Sequence, residues 1–111
     1  MIYNIDNLTL EEKAFRNVIY TDEKMQVVLM HIKANDKIGE EIHKNTSQFI
    51  EVVSGTGKAI IDGYSYDLHP KQAVIIPPNT LHNIYAYEDL SLYTIYSGEI
   101  LHADNEYIEY D

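Results

Sequence analysis

Short runs of alternating apolar and polar residues, each cut off by a cluster of turn-forming residues, recur along most of this chain. The alternation covers 26–34, 38–43, 48–53, 58–62, 73–76, 82–87 and 91–97. Side chains on a strand point to opposite faces in turn, so each run predicts a half-buried β-strand. The breaks carry turn chemistry: Asn35-Asp36, Ser54-Gly55-Thr56-Gly57, Asp62-Gly63, His69-Pro70, Pro77-Pro78-Asn79 and Glu88-Asp89. Asp62-Gly63 is the strongest hairpin signal, because a two-residue type I′ turn needs positive φ at both positions. Strands recurring about every 8–12 residues predict a sandwich or barrel. Ten tyrosines and many β-branched residues suit pleated surfaces. Spacing alone leaves a jelly roll and an immunoglobulin-like sandwich both open.

One segment reads as helical. Thr9 stands three residues before Glu12, the spacing of a capping box, but the apolar stripe of 8–15 is short, so one or two turns are expected outside the barrel. The 111 residues form one expected domain, 1–111. The start, MIYNIDNLTLEEK, lacks a basic stretch followed by an apolar run, and a soluble cytoplasmic protein is expected. Eighteen acids against eight bases give a net charge of −10, and the seven lysines and single arginine are scattered along the sequence. That balance argues against a nucleic-acid partner and, more weakly, against a phosphorylated substrate. There is no cysteine, so any metal must be held by nitrogen and oxygen donors.

Such donors occur at positions that parity places together. Glu41 and His43 are two residues apart and share a face, while Glu40 points the other way. Gln48 opens the next strand on the face of Ile50 and Val52, which puts Glu51 on the opposite side. His82 opens a strand whose same-face neighbours are Ile84 and Ala86; a polar group heading an apolar face needs a partner. Two imidazoles and one carboxylate form a facial triad with positions left open, and Gln48 can add a neutral amide oxygen. His31, His69 and His102 are expected away from this group.

Residues 39–57, GEEIHKNTSQFIEVVSGTG, resemble the first motif of the cupin superfamily, and residues 71–83, KQAVIIPPNTLHN, resemble the second. The stretches 15–18 and 92–97 are similar to a subgroup of small single-domain cupins that pairs Glu-x-His with Gln where most cupins have His-x-His with Glu. The resemblance implies an all-β double-stranded β-helix, the jelly-roll barrel of RmlC-like proteins. It also implies a divalent metal, Fe, Mn, Ni or Zn, on Glu41, His43, Gln48 and His82, and a homodimer. Three positions depart from the usual motif. Lys71 and Asn79 stand where glycines are common and Gln72 where an acid is. Lys71 costs little if its turn keeps a negative φ, and Asn79 is the best non-glycine residue for the left-handed region. The exit at 97–102 lacks the Pro-rich pattern of similar sequences, and 104–111 is expected to add an edge strand or to pair with a second subunit.

Three functions fit a barrel with such a site: an oxygenase, an isomerase or lyase using the metal as Lewis acid, and a non-catalytic metal- or ligand-binding barrel. A metal-dependent enzyme acting on a sugar-like, enol or diol molecule is the leading reading. Tyr93 and Tyr96 are the candidates for contacting that molecule, with their orientation left open.

Overall fold

The structure, a computed structural model, describes residues 1–99. A short helix, α1 (Ile5–Glu11), precedes eight strands: β1 (Arg16–Thr21), β2 (Met25–Ile32), β3 (Thr46–Ser54), β4 (Gly57–Ile61), β5 (Tyr64–Leu68), β6 (Ala73–Ile76), β7 (His82–Ala86) and β8 (Leu90–Gly98). They form two antiparallel sheets, one in the order β1-β2-β8-β3-β6 and the other β5-β4-β7. The expected all-β jelly-roll architecture with a helical turn at its start is what the chain adopts. His102, the segment 104–111 and the second half of the 97–102 exit lie outside the described residues.

The inward faces follow the alternation. On β2, β3 and β8 the inward positions are Gln26, Val28, Met30 and Ile32; Thr46, Gln48, Ile50 and Val52; and Leu90, Leu92, Thr94 and Tyr96, while Leu29 and Ser91 are buried on the opposite face. Strand register stacks these residues into rows across the barrel. Ile32 faces Leu90, Met30 faces Leu92, Val28 faces Thr94 and Gln26 faces Tyr96; β3 continues the rows with Val52, Ile50 and Gln48. The interior is therefore apolar at one end and polar at the other. The second sheet repeats the gradient, from Ala86 beside Gly57 to His82 beside Ile61. Gly57 permits that pairing, since a Cβ there would run into the Tyr85 carbonyl.

Several expectations need correcting. The helix begins at Ile5, and Thr9 lies in its last turn, where its hydroxyl donates to the Ile5 carbonyl at 2.7 Å. The apolar stripe that fixes α1 starts upstream, at Ile5 and Leu8, and the helix packs on β2, β3 and β8. Glu12, the expected capping-box partner, instead accepts from the Ala14 N–H and the Asn17 amide. Strand β1 escapes the alternation because its register shifts between Val18 and Tyr20. Strand β5 escapes it because residues 64–67 are exposed on both faces. The run 38–43 is no strand: Gly39 at φ +108° breaks it, leaving isolated bridges of Lys37 with Tyr85 and Glu41 with His82. Lys71 adopts φ +71°, so the negative φ at which it would cost little is not kept. A left-handed lysine costs about 1–2 kcal/mol, offset by a turn in which Lys71 N–H donates to the Val52 carbonyl and Gln72 N–H to the His69 carbonyl. Asn79 is left-handed as anticipated, at φ +60°, and Asp62 and Gly63, at +50° and +84°, make the β4–β5 hairpin.

Candidate metal centre

The polar end of the barrel gathers groups from four parts of the chain. Glu41 and His82 are opposite partners in a reciprocal backbone pair: Glu41 N–H donates to the His82 carbonyl at 2.9 Å, and His82 N–H returns the bond at 3.0 Å. The segment carrying Glu41 is pinned by Asn83, whose Oδ1 accepts from Gly39 N–H. The turn before β7 is tied to the same segment, since Asn79 N–H donates to the His43 carbonyl at 2.7 Å. Glu41, His43 and His82 can each offer one ligand atom, all within 4.8 Å of one another. The imidazoles meet edge to face with centroids 5.4 Å apart, and His43 Nε2 is 3.8 Å from a Glu41 oxygen.

Hydrogen bonding leaves the donor atoms exposed to one another. His82 Nδ1 lies 2.9 Å from the Thr80 carbonyl, which can only accept, so Nδ1 carries the proton and Nε2 presents a lone pair. Gln48 Nε2 donates to the Thr94 hydroxyl at 2.9 Å, which turns Oε1 free. His43 Nε2, His82 Nε2 and Gln48 Oε1 are all buried without a hydrogen-bond partner. Stranding three such atoms costs about 1–3 kcal/mol each unless something binds them. Burial, the largest influence, holds the His43 imidazole below its ordinary value; Glu41 opposes this, and the charges of His82 and Arg16 add to the lowering. A neutral imidazole is the form a metal binds.

Tyr96 sits 2% exposed on the row of Gln48, its ring edge-on to His43 at 5.8 Å. Tyr93 is on the other face of β8, donating to Glu51 at 3.0 Å beside Phe49. Burial, followed by that bond and the charges of Glu51 and Asp6, pushes its phenol up to about 12. The structure thus brings Glu41, His43, Gln48, His82 and Tyr96 to one end of the barrel and leaves Tyr93 outside it. His69 is exposed, and His31 lies on the outer face of β2, 3.4 Å from the Ser91 hydroxyl. Three residues were missed in the sequence. Thr80 and Thr94 orient two of the donors; Thr94 shares the face of Tyr96, two positions before it, a face that the sequence left unassigned. Arg16 is buried close enough to influence His43, and nothing in its neighbourhood of sequence signals that.

The donor set suits a first-row divalent ion. It comprises one carboxylate, two imidazoles and an amide oxygen, with no thiolate. Residues 28–96 match the cupin domain family. The chain is a cupin. Among curated proteins this cupin is 29% identical over 104 residues to YrkC of Bacillus subtilis, an uncharacterized protein, covering 86% of this chain and 56% of that one. It is 35% identical over 103 residues to L612 of Acanthamoeba polyphaga mimivirus, also uncharacterized, covering 86% and 64%. The cupin therefore spans between about half and two thirds of the length of these relatives. The crystal structure of BH2720 from Bacillus halodurans superposes with a TM-score of 0.90 at 28% identity, covering 99% of this chain and 92% of that chain. Among the described residues, no helix is long and apolar enough to cross a membrane.

Proposed function

We propose that this cupin binds one divalent metal, Fe, Mn, Ni or Zn, through Glu41, His43, Gln48 and His82, and acts as a metal-dependent enzyme on a small sugar-like, enol or diol molecule. The observation that carries the reading is the set of three buried donor atoms without partners, His43 Nε2, His82 Nε2 and Gln48 Oε1, at the end of the barrel where Glu41 also lies. When bound, the metal supplies either Lewis acidity toward a carbonyl or enediolate oxygen, or a redox centre for oxygen chemistry. The chain's own residues do the rest. Thr80 fixes the His82 tautomer, Thr94 aims the Gln48 amide, and burial favours the neutral form of His43. Tyr96 walls the site beside His43 and leaves the substrate an aromatic surface on that side. Rows of Val28, Ile50 and Leu92 behind it exclude water from the interior.

The same reading places the protein in the cytoplasm as a single-domain homodimer. Support for the dimer comes from the edges of the two sheets: β5 and β6 part around a cleft of about 560 Å³ lined by Tyr66, Val74 and Ile75, with Tyr66 and Ile75 more than half exposed. Exposed apolar edges are usually covered. Sedimentation at high concentration checks it, and a clean monomer removes the dimer. The catalytic claim is tested by incubating metal-loaded protein with chelating enols, diols and keto-sugars while following oxygen uptake and isomerised or cleaved products. Turnover lost in Glu41→Gln supports an enzyme; tight binding of these molecules without turnover favours a non-catalytic binding barrel.

A further inference from the structure

The lysines that are scattered along the sequence do not stay scattered in the fold. Lys13 follows α1, Lys33 follows β2, and Lys37 lies in the segment leading to Glu41, yet all three line one cavity of about 400 Å³. Its remaining wall is His31, and its floor is Phe15 and Ile38, both packed against the core. Three of the seven lysines of a chain with net charge −10 thus face a single space. The one carboxylate in the lining, Asp36, accepts from the backbone N–H of Lys37 at 2.8 Å. Asp89, next to His31, is likewise engaged, accepting from Ala34 N–H at 2.9 Å. His31 is anchored by Ser91, so this wall is preformed.

The cavity is separate from the metal centre. It opens at the apolar end of the barrel, where Asn35 and Asp36 pair with Ala86, whereas His82 stands at the other end of β7. At strand rise the two are roughly 13 Å apart. We propose that this cavity is a binding site for a small, multiply charged oxyanion, carried by a phosphate-bearing or polycarboxylate metabolite whose apolar portion rests on Phe15 and Ile38. The volume falls within the roughly 300–1,000 Å³ of small-molecule sites. Lys13, from the α1–β1 connection, and Lys33 and Lys37, from the segment after β2, can swing onto one anion without a fixed fork geometry, as lysines do on phosphates, Lys13 leaving a 3.5 Å contact with the Leu10 carbonyl and Lys37 a position 5.8 Å from the Tyr85 ring centre. In a protein whose overall field repels anions, a local excess of cations is a selective feature, because the ligand must reach it against that field.

The test is a titration of isotopically labelled protein with pyrophosphate and, separately, with tricarballylate, followed by amide chemical shifts. Saturable shifts of the amides around Lys13, His31, Lys33 and Lys37, with a dissociation constant of millimolar or tighter, are expected for at least one of the two, and which one binds tells a phosphate-bearing ligand from a polycarboxylate. The Lys33→Gln, Lys37→Gln double variant, at two exposed positions, should bind at least about tenfold more weakly while keeping its spectrum otherwise intact. No saturable shift with either anion, shifts confined to the residues around His43 and His82, or unchanged affinity in the double variant would each overturn the proposal.

Discussion

The two ends of this barrel are built from the same strands and differ in what those strands point inward. At one end Ile32, Leu90, Ala86 and Leu68 pack with almost no exposure. Three rows away, Gln26, Tyr96, Gln48, His43 and His82 fill the same interior with polar groups, and His43 Nε2, His82 Nε2 and Gln48 Oε1 have no hydrogen-bond partner. The rows of β2, β3 and β8 run through both ends, and His43 joins the polar end from the segment before β3. The apolar end spends its positions on stability, and the polar end gives that stability up for a set of donors. A barrel that was only a scaffold would have no reason to bury His43 Nε2, His82 Nε2 and Gln48 Oε1 unbonded.

The comparison can be broken most directly at the apolar end. Leu90→Ala removes a fully buried side chain and should lower the unfolding free energy by about 2–5 kcal/mol in urea denaturation, while the folded fraction keeps its metal-to-protein ratio. A change in that ratio would mean the two ends are not separable. At the polar end, a divalent ion should raise the melting temperature, since ligand at a hundred times its dissociation constant stabilises by about 2.7 kcal/mol. His43→Ala should show no such rise; an equal rise in that variant would place the ion elsewhere. Thr94→Val keeps the shape of the site but frees the Gln48 amide, and metal affinity should fall about 10–100-fold, measured by competition with a chromophoric chelator. Unchanged affinity would mean that Thr94 does not orient the amide.

The smallest expected effect separates the two faces of β8. Tyr93→Phe should cost about 1 kcal/mol through its bond to Glu51 and leave metal binding untouched. Its phenol is raised to about 12 in the folded protein, so the neutral form is the one folding favours. That contribution is complete below the ordinary tyrosine value near 10 and is lost as pH rises through about 12. The phenolate difference spectrum between wild type and Tyr93→Phe should therefore develop above pH 10, and a midpoint at or below 10 would contradict the placement.

Much of the site was legible before the fold was known, because parity is a local rule. Gln48 and His82 could be put on inward faces from their spacing to Ile50, Val52, Ile84 and Ala86, and Glu51 could be put outside, whereas Glu41 and His43 were paired by a strand parity that Gly39 breaks. What sequence could not supply was anything that depends on register or on a break in it. The bulge between Val18 and Tyr20 hid β1, and the exposed faces of 64–67 hid β5. Tyr93 and Tyr96 are an odd number apart, so only one could face the metal, and choosing between them required the rows of β8. The approach of Lys13 to Lys33 and Lys37 depends on where β2 ends against the α1–β1 connection, and sequence position gives no hint of it.

The central claim is that the buried donors at the polar end hold a metal, and metal content by mass spectrometry tests it most directly. Protein purified without chelators or a metal-affinity tag should carry close to one divalent first-row ion per chain, with the ion lost from both His43→Ala and His82→Ala while their far-ultraviolet circular dichroism stays that of a folded barrel. Stoichiometric metal retained in either variant, or none in the wild type after loading with Fe, Mn, Ni and Zn in turn, would contradict the account.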